Sequence, residues 1–197
     1  PCDIIKLRCE GASKLVTVLP GTTIETTLSE KDTARRLIDA VFAPGELMLS
    51  QVVALTGLEP YVVQNWVKRG FLARPEKKLY SKRKFCRIAI INSLKDSLQL
   101  DRITSLLRYI NGKTDDESDD LIDDFELYNY FVNLCIETEI KHGADADIRE
   151  TVKAVTAQYT EPAPGAAARL QRVLEVMLYA YRSSVYKRKA ELLSSEF

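Results

Sequence analysis

Residues 49–81 read LSQVVALTGLEPYVVQNWVKRGFLARPEKKLYS, and the reading of this stretch decides the rest. Leu49 to Thr56 is a short amphipathic segment closed by Gly57, with Pro60 just beyond it. Glycine follows a helix end readily because it lacks the Cβ that penalises a left-handed backbone. Proline suits a first helical turn because its missing N–H would go unpaired there. The order predicts helix, tight turn, helix. In the second helix, expected over 60–69, Val63, Trp66, Val67 and Gly70 share one face, and Tyr61, Gln64, Asn65 and Lys68 share the other. Gln and Asn amides pair bidentately with adenine, and Lys reaches guanine or phosphate, so the polar face has the composition of a recognition helix for the major groove. An ordinary amphipathic surface helix would carry a similar face.

The continuation favours the first reading. Phe71-Leu72 is an apolar exit, Arg74, Lys77 and Lys78 form a basic tip, and Leu79-Tyr80 is an apolar return, together a wing over 73–80. Ser81 is placed to cap a further helix whose first turn is Lys82-Arg83-Lys84. Cations there oppose the helix dipole at about 0.3–1 kcal/mol each, and a docked phosphate would relieve the penalty. Residues 47–113 hold 13 Lys and Arg against 4 Asp and Glu, and residues 114–150 hold 2 against 13. Two such blocks imply either surfaces with different partners or mutual attraction within the chain.

The run Leu49-Ser50-Gln51-Val52, Leu55-Thr56-Gly57, Val63-Gln64-Asn65-Trp66, Arg69-Gly70-Phe71-Leu72, Lys78-Leu79-Tyr80-Ser81, Leu94, Leu100, Ile103 and Leu107 resembles the MerR-type DNA-binding domain over about 60 residues. With Lys77 to Lys82 and the run from Ile88 ahead of Lys95, the chain is also similar to an uncharacterised Gram-positive group of MerR-like proteins known only as a domain of unknown function. The resemblance implies a winged helix-turn-helix whose second helix enters the major groove, a wing on the flanking backbone, and dimers on palindromes. Two departures stand out. Gln64 and Asn65 occupy positions where MerR proteins usually carry Arg then Tyr, and an acidic linker replaces the long helix that normally follows.

The remaining sequence is expected to be mainly helical, in three parts. Residues 1–47 should form a hairpin (4–9 with 14–19) and a helix capped by Ser29 and stopped by Pro44-Gly45. Residues 48–112 are the winged module, and 113–197 a helical region for dimerisation or effector binding. There a helix is expected from about Asp119 to Lys141. Asp147 and Glu150 form a capping box for the next, and a final helix runs from Ala166 to about Leu193. The apolar stripe of that last helix, Leu170, Val173, Leu174, Met177, Tyr181 and Val185, looks wider than one neighbour would cover and predicts a homodimer.

Cys2, Cys9, Cys86 and Cys135 form no CxxC pair, and His142 is the sole histidine, so neither zinc nor a disulfide framework is expected. The acidic segment 114–126 reads as a solvated turn rather than a metal site. No apolar run is long enough for a membrane span, and a bacterial cytoplasm is the expected location. The expectation is a regulator of transcription, not an enzyme, binding double-stranded DNA through Tyr61, Gln64, Asn65, Lys68, Arg69, Arg74, Lys77, Lys78, Lys82 and Arg83, with no cofactor. Tyr128, Tyr130, Phe131, Tyr179 and Tyr181 could line a pocket for an unidentified small-molecule effector. The competing reading is a winged helix that docks proteins, since fold alone does not fix function.

Overall fold

A computed structural model describes residues 16–27, 31–114, 116, 118–140, 147–195 and 197. It is mainly helical, with two small sheets. The order is β1 (Val16–Val18), β2 (Glu25–Thr27), α1 (Thr33–Phe42), β3 (Leu47–Met48), α2 (Leu49–Thr56), α3 (Pro60–Lys68), β4 (Leu79–Tyr80), α4 (Lys82–Leu94), α5 (Leu100–Asn111), α6 (Asp124–Ile140), α7 (Ile148–Val155) and α8 (Ala166–Ser194). β1 pairs antiparallel with β2, and β3 with β4 in the register Leu47↔Tyr80 and Met48↔Leu79. The expected strand 4–9 and the Ser29 cap lie outside the described residues. The strand found beside Val16–Val18 is Glu25–Thr27, and α1 begins at Thr33 behind a left-handed Asp32.

The centre of the molecule is α4. From Phe85 to Ile91 every residue is buried, Arg87 included, because α4 has neighbours on all sides: α2 and β4, α5, α6 and α8. A helix apolar all round can only be an interior helix. Its start is fixed by Ser81, whose hydroxyl accepts from the Lys84 amide at 3.4 Å. α7 starts as expected at Asp147, whose carboxylate accepts from the amides of Arg149 and Glu150. Buried residues from Leu19 to Ala180 form one cluster, so the segments 1–47, 48–112 and 113–197 share a core.

That core also absorbs the stripe of α8. Leu170, Val173, Leu174, Met177 and Leu178 are buried within the single chain, where α8 packs on α4, α5, α6 and α7. What α8 leaves uncovered lies elsewhere on its surface. Tyr179, Tyr186 and Leu193, spaced by seven, are each at least half exposed. No helix among the described residues is long and apolar enough to cross a membrane.

The N-terminal turn is bonded to the end of α2. Thr23 donates from its amide to Leu55 O (2.8 Å) and from its hydroxyl to Ala54 O (2.9 Å), satisfying carbonyls at the end of α2 that the helix leaves unpaired. Asn92 of α4 donates to both Gly21 O and Thr56 O at 2.9 Å. Gly21, at φ 71, has no room for a side chain: a Cβ there would lie 1.9 Å from Ala89 O. Tyr128 of α6 closes the same corner by donating to Pro20 O at 2.8 Å.

Candidate nucleic-acid interface

The α2–α3 pair is built by local rules. Gln51 Oε1 accepts from the Met48 amide (2.8 Å) at the start of α2, and Gly57 ends that helix in the left-handed conformation. Pro60 opens α3 at its first turn. Val63 and Trp66 then point inward, essentially without exposure, and Gly70 at φ 75 turns the chain so that the Phe71 amide donates back to Trp66 O at 2.9 Å. With Val63 and Trp66 fixed in the core, the helical period turns Tyr61, Gln64, Asn65 and Lys68 outward, and all four are exposed. Tyr61, at 69% exposure, is a large aromatic ring in solvent beside two free amides.

The segment expected to form a wing is a tight turn rather than a long hairpin. Leu79 donates to Glu76 O at 2.7 Å, Glu76 and Leu79 form an isolated bridge, and Lys77 and Lys78 between them both have positive φ, 48° and 66°. This is the geometry of a type I′ turn, usually filled by Asn-Gly. Here it holds two lysines, both exposed. Arg74 is exposed as well.

The other expected cations are differently placed. Arg69 stacks on the Phe71 ring (4.5 Å to the centroid) and faces Asp101 at 3.8 Å. Lys82 bonds Asp39 at 2.6 Å and lies 4.3 Å over the Phe125 ring. Arg83 is paired to Asp120, with Asp123 at 3.6 Å and Asp124 at 3.8 Å. The start of α4 therefore meets carboxylates of its own chain where a phosphate was expected.

Behind Arg83 lies a buried group that the sequence reading did not single out. Arg87 Nη1 donates to both oxygens of Asp124 (3.0 and 3.4 Å), and Arg87 Nε reaches Phe71 O at 3.4 Å. Asn111 donates to the same carboxylate at 3.2 Å and accepts from the Ile122 amide at 3.3 Å. The exit of α3, the middle of α4, the end of α5 and the start of α6 are joined through this cluster. Its sequence signal was a lone arginine inside the apolar run Phe85-Cys86-Arg87-Ile88. The neighbouring Cys86 thiol is pushed well up, first by burial and then by Asp124 and Asp123.

Between the end of α3, the wing and the Gly112 loop runs an open cleft of about 1040 Å3. Lys68, Arg74, Lys84, Arg108 and Lys113 line it against Glu76 and Asp119, and Lys84 is held by Glu76 at 3.5 Å. Arg108 and Lys113 come from a helix and a loop 40 residues away from α3, a placement that helical periodicity could not supply.

The five aromatics expected around an effector do not converge. Tyr128 and Phe131 are fully buried, Tyr181 packs edge-on against Phe131 (5.7 Å between centroids), Tyr130 packs edge-on against Tyr159 (6.3 Å), and Tyr179 is exposed. Cys86 and Cys135 are buried and in no disulfide, and Cys2 and Cys9 lie outside the described residues. Among the described residues no group of three or more metal-ligating side chains is gathered.

No curated protein and no solved structure matches the chain. Residues 38–131, from the middle of α1 into the middle of α6, match the family model described as Domain of unknown function (DUF1836).

Proposed function

We propose that the chain is a sequence-specific double-stranded DNA-binding regulator of transcription, a winged helix-turn-helix of MerR type with α3 in the major groove and the basic wing on the backbone. The observation that carries this is the pairing of two exposed features. One is an α3 face of Tyr61, Gln64, Asn65 and Lys68. The other is a strained two-lysine turn next to it. Amides on a rigid helix specify bases, and cations on a turn position the backbone. Lys68, Arg74, Lys77 and Lys78 have no carboxylate partner among the described residues, whereas Lys82 and Arg83 do, so the phosphate contacts fall to the first four. Each neutralised phosphate contributes about −0.9 to the slope of log K against log salt, giving about −3.6 per chain.

Two copies would read two half-sites about one helical turn apart. The seam is assigned to the outer face of α8, where Tyr179, Tyr186 and Leu193 recur every seven residues and stay exposed in the single chain. The test is selection of bound duplexes from a random pool with the full chain, followed by titration of the winner and a scrambled duplex at several salt concentrations. Enrichment of a palindrome and a slope near −3.6 per chain are expected. Asn65→Ala should relax preference at one base pair, at about 1–3 kcal/mol of discrimination, while Lys68→Ala should weaken all duplexes alike. Binding indifferent to salt, or no enriched sequence, would favour the protein-docking reading, in which Tyr61 and the α3 face meet a polypeptide.

A further inference from the structure

The open cleft beside the end of α3 gathers charge of one sign. Five cations line it against two carboxylates, although the whole chain carries 28 basic and 28 acidic groups. The cations come from separate stretches of chain. Lys68 ends α3, Arg74 lies in the segment after it, Lys84 is in the first turn of α4, and Arg108 and Lys113 stand on either side of the end of α5. Of the five, Lys84 alone has an ion-pair partner among the described residues, Glu76 at 3.5 Å. The other four are exposed. Cations elsewhere on α4 are treated differently: Lys82, Arg83 and Arg87 each meet a carboxylate. The acidic lead-in to α6 is spent on those, and the cleft keeps a positive excess.

The shape adds to the charge. Val67, Leu72 and Ala73 contribute apolar wall, and a concave surface of one sign with low-dielectric walls focuses its field outward and concentrates the opposite charge. Two of the four unpaired groups are guanidinium forks, which match pairs of phosphate oxygens, and two are ammonium point charges. A chain of linked phosphates places a negative charge on each unit and can engage several of these groups at once. The volume of about 1040 Å3 lies at the upper end of small-molecule clefts, roughly 300–1000 Å3, so it admits a nucleoside triphosphate as well as a bare triphosphate. Among the described residues no aromatic ring lines the cleft to stack a base, so recognition falls on the phosphates.

We propose that the cleft binds a free oligophosphate, inorganic or carried by a nucleotide, through Lys68, Arg74, Arg108 and Lys113. Lys68 and Arg74 are also assigned to the DNA backbone above, so on that reading ligand and duplex exclude each other. Arg108 and Lys113 serve the ligand alone.

The experiment is calorimetry and thermal unfolding of the full chain in low salt without DNA, with inorganic triphosphate as the probe. At a hundred times Kd it should raise Tm by about 5–10 °C for a chain of this size, and adenosine should not. ATP separates the two sources: affinity equal to that of triphosphate assigns the site to the phosphate chain, and affinity tenfold higher assigns it to a nucleotide. Arg108→Ala with Lys113→Ala removes two exposed side chains, so it should leave Tm unchanged and weaken triphosphate at least about tenfold, by the loss of two charge-assisted contacts. If the chain binds DNA, the same variant should keep the parent's salt slope. No heat and no shift at about 1 mM triphosphate, a hundred times a 10 μM Kd, would overturn the proposal. Equal shifts from sulfate at matched ionic strength, the mark of a general salt effect, would overturn it too, as would equal affinity for citrate or undiminished affinity in the double variant. A double variant that loses triphosphate and also flattens the DNA salt slope would give the cleft to the duplex and refute the free ligand. Failure to bind DNA at all would leave the triphosphate arm standing, because that arm contains no DNA.

Discussion

Replacing Lys77-Lys78 by Asn-Gly should make the protein more stable and a poorer DNA binder at once. Both lysines sit at positive φ in a turn closed by the Leu79 to Glu76 hydrogen bond. A left-handed backbone costs an ordinary L-residue about 1–2 kcal/mol. Asn tolerates it better, and Gly escapes it while losing about 0.5–1 kcal/mol to its greater freedom in the unfolded chain. The net gain for the pair is about 1 kcal/mol, a rise in Tm of about 2–4 °C for a chain of this size. The same change removes two of the four unpaired cations assigned to phosphate. The salt slope should fall from about −3.6 to about −1.8, so that moving from 50 to 200 mM salt weakens binding about 12-fold instead of about 150-fold. Differential scanning calorimetry and fluorescence anisotropy on one preparation read both effects. Lys77→Arg with Lys78→Arg is the control, retaining charge and strain and leaving both readouts near the parent values. An unchanged or lower Tm in the Asn-Gly variant refutes the strain argument. An unchanged slope refutes the contact with phosphate, whatever the Tm does.

Breaking the buried pair by Arg87→Met should destabilise the fold by about 3–5 kcal/mol in urea titrations, because Asp124 stays buried without its main partner; Arg87→Met with Asp124→Leu should recover much of that loss. Gly21→Ala should cost about 3 kcal/mol or more, since its Cβ collides with the Ala89 carbonyl, whereas Gly57→Ala meets only the Thr23 methyl at 3.3 Å and should lose about 1–2 kcal/mol, mostly to its positive φ. Asp39→Asn releases Lys82 from a half-exposed ion pair, so it should change stability by less than about 1 kcal/mol and steepen the salt slope by up to about 0.9; a slope unmoved by this change would place Lys82 outside the interface. Tyr186→Glu with Leu193→Glu should convert the expected dimer to a monomer in light scattering without lowering Tm, because both side chains are exposed in the single chain.

The elements legible in sequence were those whose signals are local. Gly57 and Pro60 bracket the turn, Ser81 and Asp147 cap as expected, and the inward row of Val63 and Trp66 fixes the outward row of α3. Where the signal was not local, reading failed. β2 is Glu-Thr-Thr, which carries no apolar alternation and owes its pairing to the turn at Gly21. α6 begins at Asp124 rather than near Asp119, because the intervening carboxylates turn to Arg83 instead of opening a helix. The stripe of α8 looked too wide for one neighbour and was, but four helices of the same chain cover it. Periodicity says that a face is buried and cannot say by which chain. Arg108 and Lys113 in the cleft depend on tertiary placement alone.

The opposed charge blocks are the case in which one sequence fact had two readings, and the structure shows attraction within the chain for part of each block. Asp120, Asp123 and Asp124 engage Arg83 and Arg87, and Asp39 engages Lys82, so the acidic block neutralises cations at the start and in the interior of α4. Those pairs cross from α4 to α6 and its lead-in, or from α4 to α1, and so tie α4 to its neighbours. Lys68, Arg74, Lys77 and Lys78 keep no such partners among the described residues. Exposed cations remain on the turn at Lys77-Lys78 and on the outward face of α3 at Lys68, and also at Arg108 and Lys113 of the cleft. On the proposed DNA-binding reading, the acidic segment withdraws Arg83 from phosphate and leaves that contact to the cations near the exposed amides of Gln64 and Asn65.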